Sequence, residues 1–237
     1  MCLILFTISS DPQQRLVVAA NRDEQHARPT ARAGFWRDNN AILGGRDLQA
    51  NGTWLGVNKN GRFAAVTNFA ETPAEPIPAR TRGELTSHFL NSDIAPEDYL
   101  SDVDALADQY RGFNLVLFDG NATWYYSNRA REIKQLTEGH YGLSNQLLDC
   151  NWPKVNQGRE SLKEILSANF SSEKLFDLLA HRGDGQDHSA RFILGEHYGT
   201  SVATVVRIAA DNLFFEERGF RPDGSMSVAN QFQLNIN

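Results

Sequence analysis

The chain has 237 residues, of which 41% are hydrophobic and 22% charged, with a formal net charge of -6. This length accommodates one large domain or two small ones, and the composition is that of a globular protein. The acidic balance argues against a general nucleic-acid surface, which needs a basic patch, but permits an anionic small ligand held by local arginines.

The chain opens on an apolar run, Cys2 to Ser9, expected as a buried strand. It turns at Ser10-Asp11-Pro12-Gln13-Gln14 and returns through Arg15 to Ala20, which is hairpin chemistry. The run is too short for a signal peptide and lacks a basic n-region. No stretch approaches the roughly 20 apolar residues that span a bilayer. Cys2 and Cys150 are the two cysteines, too few for a disulfide framework. A cytoplasmic protein with free thiols and no membrane span is expected.

Ala41-Ile42-Leu43-Gly44-Gly45 reads as a short strand closed by glycines. Thr53 to Val57 and Arg62 to Asn68 flank Asn58-Lys59-Asn60-Gly61, a second hairpin with a strong Asn-Gly signal. Glu71 to Ala79 holds three of the eight prolines and reads as a loop leaving the sheet. Thr81-Arg82-Gly83-Glu84 has the form of a capping box before Leu85, Phe89 and Leu90. Ala95 to Tyr110 follows as a second helix with a proline near its start. Strands resume at Phe113 to Phe118 and, after Asp119-Gly120-Asn121, at Trp124 to Tyr126. Helices are expected at Pro153 to Ala168 and Ser172 to His181, then a polar loop, Arg182 to Ser189. Strands close the chain at Val202 to Ala209, Leu213 to Glu217 and Val228 to Leu234. Hairpin blocks alternating with helix pairs, without linker or repeat, predict one α+β layered domain over residues 1–237.

The residues that suggest chemistry are Cys2 and the run Asn21-Arg22-Asp23-Glu24, expected at the end of the second strand. If the initiator methionine is removed, Cys2 carries both a thiol and a free α-amine. Their reference pKa values are about 8.5 and about 8, so one residue supplies a nucleophile and a base. Arg22 beside the sulfur favours the thiolate, and Asp23 orients the amine. Asparagine amides serve as oxyanion donors; Asn68 and Asn145, both at predicted strand ends, are candidates. Each residue also has a plainer reading: a buried thiol, a solvated turn, turn-forming asparagines. Gly44-Gly45-Arg46-Asp47 and Asn51-Gly52-Thr53-Trp54 bracket a loop that can wall a pocket. The six histidines show no metal-ligand spacing, and there is no phosphate loop or dinucleotide fingerprint.

These motifs together resemble the NRDE family, the transport and Golgi organisation family (second member). The resemblance is carried by Met1-Cys2, Asn21-Arg22-Asp23-Glu24 with Arg28-Pro29-Thr30, Gly44-Gly45 with Asp47, and Gly52 to Asn58. It continues in Thr67-Asn68, Arg82-Gly83, Phe113 to Val116, Gly142-Leu143-Ser144-Asn145, Trp152-Pro153-Lys154-Val155, Tyr198-Gly199-Thr200 and Glu217-Arg218. It implies an N-terminal nucleophile hydrolase-like fold: a four-layer αββα sandwich of two antiparallel sheets between helical layers. A looser similarity to bile-salt hydrolases and penicillin V acylases assigns catalytic positions to Cys2, Arg22, Asp23, Asn68 and Asn145. Family members often carry arginine after Tyr-Gly-Thr, where this chain has Ser201; Arg191, Arg207 and Arg218 are the possible replacements.

Two functional readings follow from the resemblance. One is a Cys2-dependent hydrolase of a non-peptide amide or thioester, acting through an acyl-enzyme and requiring no cofactor. The other is a carrier that binds haem or an acyl-coenzyme A in the same pocket. For the second, Asn21, Glu24, Arg28, Arg46 and Trp54 are candidate ligand contacts, since arginine offers a planar fork to carboxylates and phosphates.

Overall fold

The computed structural model describes residues 2–71, 80–168 and 170–236. The described elements begin with six strands: β1 (Leu3–Ile8), β2 (Leu16–Gln25), β3 (Thr30–Phe35), β4 (Ile42–Asp47), β5 (Leu55–Asn58) and β6 (Phe63–Asn68). Two helices follow, α1 (Arg82–Leu90) and α2 (Pro96–Ala105), then β7 (Phe113–Phe118), β8 (Thr123–Ser127), β9 (Glu132–Leu136) and β10 (Gly139–Leu143). The chain continues through α3 (Pro153–Ser167), α4 (Ser172–Leu179), β11 (Tyr198–Ile208), β12 (Asn212–Phe220) and β13 (Met226–Asn235). The proline-rich loop expected at Glu71 to Ala79 lies, after Glu71, outside the described residues.

The chain divides into two compact units. The first takes the residues up to Arg28, Glu138–Ser144 and Leu148–Asn235; the second takes Pro29–Thr137, Asn145–Leu147 and the chain end. The first unit is a six-stranded antiparallel sheet in the order β10-β1-β2-β11-β12-β13. Helices α3 and α4 cover one face. Val155, Leu162, Leu175 and Leu179 pack against Leu3, Leu5, Val17, Ala19, Ala203 and Val205. β1 is apolar at successive positions because its residues on both faces are buried. Two small residues set the helix–sheet distance: a Cβ on Gly158 would lie 2.9 Å from Leu5 Cδ1, and one on Gly142 would lie 2.8 Å from Val155 Cγ1.

The second unit is a seven-stranded antiparallel sheet in simple sequence order, β3 to β9. Helices α1 and α2 pack on it through Leu85, Phe89, Leu100 and Val103 against Ala64, Leu115, Leu117 and Tyr126. The expected Asn58–Gly61 hairpin joins β5 to β6, with Gly61 at φ +77°. The α+β class with two antiparallel sheets, each carrying two helices, agrees with the sequence.

Three local expectations are corrected. The Thr81 side chain makes no cap hydrogen bond; Glu84 instead accepts from Arg80 Nε at 2.6 Å and Tyr110 OH at 2.7 Å. The second helix ends at Ala105 rather than Tyr110, with a 3-10 turn at Ala107–Gln109. There Asn128 Nδ2 donates to the carbonyls of Ala107, Tyr110 and Arg111 and so holds the chain as it leaves the turn. And Asn21 to Glu24 do not follow the second strand; they lie within it, because β2 runs on to Gln25 against β11.

Candidate active site around Cys2

β1 pairs with β2 from Ile8↔Leu16 to Leu3↔Asn21, so Cys2 begins where β2 carries Arg22 and Asp23. On its other edge β2 is held by β11: Thr200 faces Asp23, Val202 faces Arg22, and Ser201 forms a bulge between them. Cys2 is anchored through its carbonyl, which accepts the Ser144 hydroxyl at 2.6 Å. The Asp23 main-chain N–H donates to the Cys2 sulfur.

Arg22 and Asp23 are buried, at 6% and 5% exposure, a placement charged side chains accept only when paired. Arg22 reaches Glu24 Oε2 at 3.4 Å and Ser201 Oγ at 3.5 Å, and Ser201 Oγ donates to the Arg22 carbonyl at 3.2 Å. Arg28 meets Glu24 at 3.9 Å. Asp23 Oδ1 accepts from Thr200 Oγ1 at 2.6 Å, and the Asp23 carbonyl accepts from Tyr198 OH at 3.2 Å. Thr200 Oγ1 in turn accepts from Ile193 N–H at 2.8 Å, so the hydroxyl that holds Asp23 is itself held.

The electrostatics follow from this enclosure. Cys2 is only partly covered as a residue, yet lost hydration at its sulfur pushes the thiol up. The Asp23 charge adds to that rise, while the chain-terminal ammonium, the Asp23 N–H and the Arg22 guanidinium oppose it. Burial also raises the Asp23 carboxyl, against the terminal ammonium, the Thr200 hydrogen bond and the charge of Lys154. Lys154, on the first turn of α3, is pulled down by burial and held up by Asp23, Cys2 and Cys150.

Asn21 projects to the helical side, where its amide donates to Leu179 O at 3.0 Å and Arg191 O at 2.7 Å. Asn68, Asn145, Arg46 and Trp54 belong to the second unit. There Asn145 Nδ2 donates to Asn68 O at 2.9 Å, and Asn145 O accepts from Ala70 N–H at 2.7 Å. Arg46 stacks 4.2 Å from the Trp36 ring centre and pairs with Asp38 at 2.6 Å. The Trp54 carbonyl accepts from Val66 N–H at 2.8 Å.

Each candidate for the arginine absent at Ser201 has work elsewhere. Arg191 donates to Leu178 O at the end of α4, Arg207 lies over Phe214, and Arg218 binds Glu173 and Glu216. Sequence reasoning had not placed Lys154, Thr200 or Ser144 in the site. Lys154 left a signal: it precedes Gly158 and Leu162 at four-residue spacing, a lysine on the buried stripe of a helix. The first unit also holds a cavity of about 240 Å³ lined by Phe176, Leu179, Phe192, Ala203, Phe220 and Arg218; Cys2, Arg22 and Asp23 do not line it. Among the described residues no group of His, Cys, Asp or Glu could hold a metal ion, and no helix is long and apolar enough to cross a membrane.

Comparison with known proteins adds the lineage. The model of the family described as "Transport and Golgi organisation 2" matches residues 1–222. The chain is 36% identical over 257 residues to the mouse (Mus musculus) "Transport and Golgi organization 2 homolog", covering 92% of each chain. It is 36% identical over 276 residues to the bovine (Bos taurus) "Transport and Golgi organization protein 2 homolog", covering 99% of each. Among solved structures it is similar to a "Caenorhabditis elegans N-acylethanolamine-hydrolyzing acid amidase (NAAA) ortholog". The TM-score is 0.55 at 10% identity, over 87% of this chain and 92% of that one. At that identity the likeness shows the fold, an N-terminal nucleophile hydrolase-like α+β fold.

Proposed function

The chain belongs to the Transport and Golgi organisation 2 family, and from that footing we propose that it is a cysteine hydrolase of the N-terminal nucleophile type. Its substrate class is a non-peptide acyl amide or a thioester, and its setting is the cytoplasm, where a thiol stays reduced. The observation that carries the reading is the Asp23 N–H at the Cys2 sulfur, with the Arg22 and Asp23 charges on the same strand. The solved structure that shares the fold is named for hydrolysing an acyl amide, which supports the same class.

In this mechanism, loss of the initiator methionine frees the Cys2 α-amine. The amine takes the thiol proton as sulfur bonds to the acyl carbon, and the resulting ammonium gives that proton to the departing amine or thiolate. Arg22 stabilises the thiolate by charge, and Asp23 accepts from the ammonium and fixes its direction. Water then attacks the acyl-enzyme, with the amine again taking a proton, and the acid and the Cys2 thiol are released.

The test is intact mass, followed by trapping with a panel of fatty-acyl amides and acyl thioesters. A chain that has lost its methionine and gains one acyl mass on Cys2, with Cys2→Ala inert, supports the reading. A methionine-free chain that never acylates across the panel sinks it.

A second reading, a carrier for haem or an acyl-coenzyme A without catalysis, is favoured by the enclosure of the Cys2 sulfur, whose burial pushes the thiol up and away from the nucleophilic form. Arg22 and Arg28 are then the anion contacts. Saturable calorimetric binding of either ligand by Cys2→Ala protein supports this reading, and flat titrations with both exclude it.

A further inference from the structure

Lys154 is 1% exposed, and the four buried residues of α3 are Lys154, Val155, Gly158 and Leu162. This is an unfavourable place for a cation. It lies in the first turn of a helix, where the macrodipole is positive, and that turn holds no acidic residue. A lysine buried there must face an anion or lose its proton.

The contacts of its neighbours place the first turn of α3 along β1. Gly158 lies over Leu5, and Val155 lies against Gly142, the partner of Leu5 on β10. Further along α3, Lys163 is within electrostatic reach of His140, whose ring bonds Thr7 Oγ1 at 2.8 Å. Helix α3 therefore advances in the Leu5-to-Thr7 direction. Moving back four residues from Gly158 covers about 6 Å of helix, which matches about two residues of strand and brings Lys154 level with Leu3. Helical side chains lean toward the N-terminus, so the Lys154 stem continues past Leu3 to the end of β1. That is where Cys2 begins and where β2 carries Asp23. Trp152 closes the outer side: its ring centre lies 5.5 Å from Lys154 Nζ and is stacked on His188 at 4.0 Å.

We propose that Lys154 is a positioning residue: its buried ammonium faces the Asp23 carboxylate and keeps it charged, so that Asp23 can orient the Cys2 amine. The groups facing Asp23 are Cys2, Lys154, and the hydroxyls of Thr200 and Tyr198, the latter on the Asp23 carbonyl. Those facing Lys154 are Asp23, Cys2 and Cys150. Asp23 is thus shared between the nucleophile on one side and a buried cation on the other. The proposed pairing needs no reaction; its use in catalysis rests on the hydrolase reading above.

The test is a carboxyl-carbon NMR titration of Asp23 in the wild type, Lys154→Met and Lys154→Arg. Lys154→Met should move the Asp23 midpoint up by about one unit or more, a tenfold change in proton affinity, and Lys154→Arg should return it toward the wild-type value. A folded Lys154→Met chain with an unmoved Asp23 overturns the proposal. If Lys154→Met does not fold, the titration of Lys154 itself decides: in Asp23→Asn its midpoint must fall, and an unchanged midpoint overturns the pairing. Neither titration needs a substrate, so a chain that never acylates defeats the hydrolase reading and leaves the pair standing. Where hydrolysis is observed, Lys154→Met should shift the acidic limb of kcat/KM to higher pH by the same amount as the Asp23 midpoint.

Discussion

At the scale of single residues, the site is a set of buried polar atoms whose partners determine what each can do. Thr200 Oγ1 holds Asp23 Oδ1 at 2.6 Å out of water. Thr200→Val leaves that acceptor unsatisfied and should cost about 1–3 kcal/mol of stability in urea unfolding, while moving Asp23 still further up. Asp23 also sets a pH dependence. Its folded pKa is raised, so the folded chain holds the proton more tightly than the unfolded one. The stability this contributes is fully present below the ordinary carboxylate range and is lost as pH rises through the folded value. Unfolding measured in pH steps should show that loss in the wild type and a flatter profile in Asp23→Asn. Arg191 gives a contrasting case. Its Nη1 donates to Leu178 O at 3.0 Å, so Arg191→Met should cost about 1.5–3 kcal/mol and leave the alkylation profile of Cys2 unchanged.

At the scale of elements, close approach is set by small residues, and legibility by burial. Leu5 is fully buried beside Gly158 and has nowhere to move. Gly158→Val should overpack this contact, cost about 1–3 kcal/mol by urea midpoint, and lift the α3 turn that carries Lys154. In the second unit a Cβ on Gly52 would lie within 2.5 Å of the Gly83 main chain, so Gly52→Ala should separate α1 from the β5 entry at similar cost. The strands read correctly from sequence were the buried ones, such as β1, β6, β7 and β11, whose apolar runs announce them. Missed were β3 and β9, two of the four outermost strands in the two sheets, while β10 was anticipated only at its end before Asn145. An outermost strand has fewer neighbours to bury it, so Glu132-Ile133-Lys134-Gln135-Leu136 keeps its charges and shows no apolar run. The capping box failed for a different reason: Glu84 found Arg80 and Tyr110, partners no local pattern contains.

At the scale of the molecule, the first unit is built from distant pieces of chain, while the sheet of the second follows sequence order. β1 pairs with β10 at Ile4↔Leu143, and β2 pairs with β11 at Asp23↔Thr200. These pairings close long loops before any contact repays them, so refolding should be slow, on the order of milliseconds to seconds or longer, by stopped-flow fluorescence. The tryptophans report on both units, Trp152 on the first and Trp36, Trp54 and Trp124 on the second. A single exponential common to all four single-tryptophan variants would show the units folding together; distinct phases would show them folding in turn.

The sequence by itself determined the α+β class, the apolar strands, the Asn58–Gly61 hairpin, helices α3 and α4, the family, and the juxtaposition of Cys2 with Arg22 and Asp23. All of these are written in local runs, turn residues or one short hairpin. Tertiary structure alone decided that Asn21 to Glu24 are strand rather than turn, because β11 arrives to pair with them. It alone decided that Ser201 occupies a bulge, that Arg191 holds the end of α4, that Thr200 holds Asp23, and that Lys154 is buried at the start of α3. The physical reason is common to these cases: a side chain's charge and role depend on what buries it, and the groups that bury Asp23 lie on strands and a helix far from it in sequence.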